Sequence, residues 1–158
     1  MAVLRAAENP IITPANIKPS RPDFEVIGAF NPAAVAYKDD VVLLVRVAER
    51  PFSADRDIEM TAIYDPQKDD IVIKEFSRLD PSIDFSDPRM TITPEGKFLT
   101  SLSHFRLATS CDGVNFTIGE KPVFRPANFY ESFGVEDPRI TKIGDTYYIT
   151  YVAVSPVG

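Results

Sequence analysis

A single cysteine, Cys111, excludes an internal disulfide and any cysteine-based zinc site, and a single histidine, His104, excludes a multi-histidine metal centre. A carboxylate-only metal site has no pattern behind it, so no metal is expected. Basic runs are missing as well. With 17 Lys and Arg against 23 Asp and Glu, the net charge of −6 lacks the electrostatic footprint of a nucleic-acid binder. No stretch approaches the roughly 20 apolar residues that span a bilayer, and the opening "MAVLRAAENPIITP" has no sustained apolar core of a signal peptide. No membrane partner is expected, and the default location is cytoplasmic. Long helical periodicity is also absent.

What remains is the make-up of a globular chain of 158 residues, 44% hydrophobic and 25% charged, enough to bury a core. Short runs rich in Val, Ile, Tyr, Phe and Thr alternate with Gly, Pro, Asp and Asn clusters, which reads as all-β. Strands are expected at 33–37, 41–48, 59–64, 70–76, 90–93, 97–103, 105–110, 115–118, 139–143 and 146–154.

The string "GVEDPRI" at 134–140 has a shorter echo, "SDPRM", at 86–90. Laying "DPRMTITPEGKFLTSLS" over "DPRITKIGDTYYITYVA" needs no gap, and "NPAAVAYKDDVVLLVRVA" fits the same frame with Asn31 in the place of the aspartates. A second hairpin follows the first copy, and another, turned by Asp112-Gly113, follows the second. Four-stranded units repeated in this way describe the blades of a β-propeller. A β-sandwich would not require the same Asx-Pro motif at the head of each unit. The expected division is blade one at about 31–76, blade two at about 87–118 and the start of blade three at about 137–154, all within one propeller domain. Two and a half blades leave strand edges unpaired, so this chain alone is expected to be inactive and to self-associate, with a homo-oligomer as one outcome.

A residue preceding proline is pushed towards extended geometry, which would fix Asn31, Asp87 and Asp137 at equivalent strand entrances facing a common axis. Strand alternation would put Asp137 and Arg139 on one face and Glu136 and Pro138 on the other. An Asp and an Arg two apart on a strand can serve only to staple neighbouring blades. Asp137 can instead serve as a general acid, although a nearby arginine lowers a carboxyl pKa whereas a proton donor needs it raised. Arg46 interrupts the apolar run "VVLLVRVA", which suits a channel-facing role.

The strings "FNPAAV", "LLVRVAER", "SCDGVNF" and above all "YESFGVEDPRITKIGDTYYITYVAVS" resemble glycoside hydrolase family 130, the β-mannoside phosphorylases and β-mannosidases, over Pro10 to Pro156. The resemblance implies a five-bladed propeller, of which this chain would be the N-terminal part. It implies an inverting reaction that removes a terminal β-mannosyl unit from a β-mannoside oligosaccharide. The proton donor would be the Asp of the Asp-Pro-Arg motif, acting in the phosphorylases through a sugar hydroxyl. Asp137 is preferred over Asp87 because the longer string surrounds it. Asn31 and Arg46 would bind the sugar, with Asp87, Arg139 and Glu49 as further substrate-binding candidates. No cofactor is implied, inorganic phosphate being the co-substrate of a phosphorylase. Phosphorylase and hydrolase are not separated by these residues. A carbohydrate-binding propeller without turnover, or an interaction scaffold, would keep the same motifs.

Overall fold

The computed structural model describes residue 5 and residues 7–157. Part of the N-terminal stretch read above for a targeting signal lies outside the described residues. Ten strands account for the architecture: β1 (Phe24–Tyr37), β2 (Asp40–Pro51), β3 (Ile58–Asp65), β4 (Asp70–Ser77), β5 (Met90–Thr93), β6 (Gly96–Leu99), β7 (Leu102–Ser110), β8 (Thr117–Ile118), β9 (Gly134–Ile143) and β10 (Thr146–Val154). The all-β expectation holds, and each expected strand has its counterpart. Among the described residues, no helix is long and apolar enough to cross a membrane.

The pairing departs from the expected grouping. β2 pairs not with β3 but with β7, giving a sheet in the order β1-β2-β7 with β8 on the outer side of β7. β3–β4 and β5–β6 are separate two-stranded sheets lying on the excursion between β2 and β7. The unit that opens with Asn31 therefore closes with β7 and β8, and its strands do not follow one another in sequence. β9–β10 begins the next unit, tied to β7 by one parallel bridge between Ser103 and Gly134.

Strand β2 is central and covered on both faces, which explains why its apolar residues run consecutively from Val41 to Val45 rather than alternating. Its odd-numbered residues Leu43, Val45 and Val47 join Ile17 and Ala108 in one buried cluster. Its Leu44 packs with Ala33, Phe105 and Val135 between this unit and β9–β10. A third cluster, Phe24, Ala62 and Leu102, fixes the β3–β4 hairpin against the sheet. Each large apolar side chain buried in this way contributes about 1.5–3 kcal/mol.

A buried polar knot lies on the odd-numbered face of β2. Arg106, fully buried, donates from Nε to Nε2 of His104 at 3.0 Å, from Nη1 to the carbonyls of Gly119 (3.2 Å) and Glu120, and from Nη2 to Lys18 O at 3.1 Å. Glu49, also buried, lies 3.5 Å from Arg106 and accepts from the backbone N (2.9 Å) and the hydroxyl of Ser20. Burial pushes the Glu49 carboxyl up. The knot pins the N-terminal segment and the 119–120 loop to the sheet.

Two consequences can be measured. Burial, helped by the charge of Arg106, holds His104 at about 3, against an ordinary value of 6.5. A depressed pKa gives a stabilising contribution that is complete above pH 6.5 and is lost as pH falls towards 3. Relative to His104→Gln, which keeps an acceptor for Arg106, the wild type should lose about 2 kcal/mol in urea unfolding between pH 7 and pH 5; parallel pH profiles would contradict this placement. Gly134, at φ 120°, would place a Cβ 2.6 Å from the backbone N of Ser103 and 2.9 Å from its O. Gly134→Ala should therefore cost about 2–4 kcal/mol by forcing β9 away from β7, read as a lowered unfolding midpoint.

Candidate active site

In β1 the register with β2 runs from Phe30↔Arg46 to Ala33↔Leu44, so Asn31 and Pro32 together oppose Val45. In β9 it runs from Glu136↔Val152 to Arg139↔Thr150, so Asp137 and Pro138 oppose Tyr151. These are the same bulge in successive units. Asn31 has φ 47° and Asp137 φ 48°, in the left-handed region rather than the extended one expected before proline. Asn and Asp tolerate that region better than most side chains. Asp87 shares neither the bulge nor the positive φ, so the expected threefold equivalence reduces to two positions.

The bulge also breaks strand alternation, so that Glu136 and Asp137 both turn to Arg46, contrary to the expectation that they would face apart. Asn31 Nδ2 donates to Asp137 Oδ1 at 2.8 Å, and Arg46 Nη1 donates to the same oxygen at 3.0 Å. Among the described residues, Asp137 Oδ2 accepts no hydrogen bond. Arg46 Nη2 is paired with Glu136 Oε1, and Arg46 Nε donates to Ser103 Oγ at 3.2 Å. The guanidinium lies over the Phe30 ring, 4.6 Å from its centre. Four strands, β1, β2, β7 and β9, thus meet at one arginine.

The two neighbouring carboxyls are driven in opposite directions. The Asn31 hydrogen bond, then the Arg46 hydrogen bond and charge, hold Asp137 below the usual carboxylate range, with the Arg139 charge adding to this. Burial pushes Glu136 up, against the pull of Arg46. Adjacent carboxyls with divergent proton affinity are the arrangement acid–base chemistry uses. Arg46 and Glu136 line a cavity of about 530 Å³ together with Ile27, Phe30, Ala48 and Val154. Arg89, Met90, Leu99 and Ser101, in and beside the β5–β6 hairpin, complete the lining. This volume falls within the roughly 300–1,000 Å³ of small-molecule sites.

Of the residues singled out from the sequence, Asn31, Arg46 and Asp137 are brought together. Arg139 stands beside them, exposed, with Nη1 on Pro138 O at 2.8 Å, and reaches Asp137 only through its charge. Asp87 binds its own neighbour Arg89 on the β5 hairpin. Glu49 lies on the opposite face of β2 in the buried knot and is not part of this group. Glu136, Ser103 and Phe30 were missed. Glu136 and Phe30 sit next to the Asx-Pro motifs and could be found only with the bulge in mind. Ser103 carries no local signal, because it arrives through the β2–β7 pairing.

A family model described as beta-1,4-mannooligosaccharide phosphorylase matches residues 97–158. Over its whole length the chain is 46% identical to a beta-1,2-mannobiose phosphorylase of Listeria innocua and spans about half of that relative, 46% of its length. A solved structure of a beta-1,2-mannobiose phosphorylase from Listeria innocua in complex with beta-1,2-mannobiose, 46% identical in sequence, superposes on 98% of this chain with a TM-score of 0.91, covering 45% of that structure. A beta-1,2-mannobiose phosphorylase of a Thermoanaerobacter species is 47% identical over 55 residues, which is 35% of this chain and 17% of the relative. A more distant structure, from work on mannoside phosphorylases and on hydrolases that target beta-1,2 mannosidic linkages in Candida mannan, shares the fold at 20% identity and a TM-score of 0.55, over 96% of this chain and 34% of that one. The chain belongs to glycoside hydrolase family 130 and has its all-β, five-bladed propeller type of fold, of which these strands form an unclosed part.

Proposed function

We propose that the protein to which this chain belongs is a β-mannoside phosphorylase that cleaves a terminal β-1,2-linked mannosyl unit with inversion, using inorganic phosphate as co-substrate and no further cofactor. The names of the relatives favour phosphorolysis over hydrolysis and the β-1,2 linkage over others. The observation that carries the reading is Asp137, fixed through Oδ1 by Asn31 and Arg46 while Oδ2 has no protein donor among the described residues.

In this reading a phosphate oxygen forms a bond to the anomeric carbon as the bond to the glycosidic oxygen breaks on the opposite face. The departing oxygen takes a proton that originates on Asp137 and passes through a sugar hydroxyl. Asp137 without substrate is held ionised, so the sugar must raise its proton affinity. Seating a hydroxyl against Oδ2 shields the carboxyl from water, and desolvation favours its neutral form. Burial pushes the proton affinity of the neighbouring Glu136 up, the opposite direction from Asp137. Arg46 and Asn31 meanwhile hold the carboxyl in one orientation, which counts as much as its proton affinity.

The test uses the full-length protein. Asp137→Asn should lower kcat on β-1,2-mannobiose by roughly 10²–10⁴-fold, the range of a lost general acid, with disaccharide binding within a few-fold and an unchanged unfolding midpoint. An aryl β-mannoside with an acidic phenol needs little proton donation on departure, so the variant should lose much less activity on it. A variant that keeps near-normal kcat and mainly loses stability would show that Asp137 is a blade staple. Mannose released without phosphate would mark a hydrolase instead.

A further inference from the structure

One wall of the cavity comes from the hairpin that carries the second Asp-Pro-Arg. Arg89 contributes to this wall although its side chain is 81% exposed. Asp87 nevertheless holds it at three points, accepting from Arg89 Nε at 3.0 Å, Nη2 at 2.8 Å and backbone N at 2.9 Å. The loop beneath is tied down as well, with Thr100 donating from N to Arg89 O at 3.0 Å and from Oγ1 to Pro88 O at 2.9 Å.

This pair cannot staple two units together, since both residues belong to one turn. An exposed ion pair between near neighbours also contributes little to folding. What the clamp does is fix the plane of a guanidinium. Nε and one N–H of Nη2 are occupied, and Nη1 has no acceptor among the described residues. Rigid donors therefore remain in a cavity whose lining also holds the apolar side chains of Met90 and Leu99 and the charged Arg46 and Glu136. Fixed donors over an apolar ledge suit a sugar, which offers hydroxyls at its rim and C–H groups on its faces. They suit a phosphate poorly, because the Asp87 carboxylate cancels the arginine charge and would repel an anion.

We propose that Arg89, splinted by Asp87, binds hydroxyls of the sugar on the leaving-group side of the scissile bond, with Met90 and Leu99 beneath it. The second Asp-Pro-Arg is then a specificity device for the acceptor, lining the same cavity as Arg46 and Glu136, the two side chains that contact or adjoin Asp137. This inference rests on the phosphorylase reading above.

The experiment measures both directions of reaction in the full-length protein. Arg89→Ala should raise KM for β-1,2-mannobiose, and for mannose as acceptor in synthesis, by about 10-fold to 100-fold, as expected for loss of hydrogen bonds from a charged donor. KM for phosphate and for the mannosyl phosphate donor should stay within about twofold, kcat should fall less than KM rises, and the unfolding midpoint should hold. Arg89→Lys, which keeps charge but loses the fork, should not restore the acceptor KM. Asp87→Ala should give a smaller rise of the same kind. A raised KM for phosphate instead would reveal an anion site and overturn the inference. Unchanged constants in an active enzyme would overturn it while leaving the phosphorylase reading intact. A wild type inert on every β-mannoside would overturn both.

Discussion

The chain turns through φ 47° at Asn31 and 48° at Asp137, and the meeting of Asn31, Glu136 and Asp137 at Arg46 depends on those two turns. Such a residue costs about 1–3 kcal/mol and persists only where its surroundings over-determine it. Here they do: Pro138 and Val135 are fully buried, and the hairpin ladders resume their register on either side of each bulge. The two bulges aim side chains from neighbouring units at one another. Arg46, opposite Phe30 in β2, fills the space between them.

Strand β2 carries two polar assemblies on its two faces. Arg46 holds the site on one, and Glu49, three residues on, anchors the buried knot with Arg106 and His104 on the other. Removing one member of a buried, hydrogen-bonded charge pair costs about 3–5 kcal/mol, because the partner is left uncompensated. The knot therefore constrains where β2 and β7 lie, and with them Arg46 and Ser103. The candidate site on one face is backed by a buried polar anchor on the other.

The strands were legible from sequence because alternation and turn residues are local signals, and each hairpin from β1–β2 to β9–β10 is closed by a short turn. The β2–β7 pairing was not legible, because nothing local to either strand states which of several apolar strands will lie beside it. That one pairing decided which Asp-Pro-Arg stands opposite Asn31. It also brought in Ser103, for which the sequence held no sign. The pre-proline rule misled at Asn31 and Asp137 because tertiary packing overrode a local preference. Glu49 and Glu136 illustrate the same limit. Both are acidic residues close to a motif, and only strand parity and the bulge decide that one is buried behind the sheet while the other touches Arg46.

The excursion that carries β3 to β6 leaves from the end of β2 and returns at Leu102, which lies directly across the ladder from Glu49. Its two ends are therefore already neighbours, and the entropy of closing the loop depends only weakly on how long the loop is. The segment behaves as a cassette. A change in its length costs little closure entropy, while Asn31, Arg46 and Asp137 stay anchored in the sheet from which it departs. On the proposed reading, such wiring separates the segment that would recognise one sugar from the residues that would act on the other.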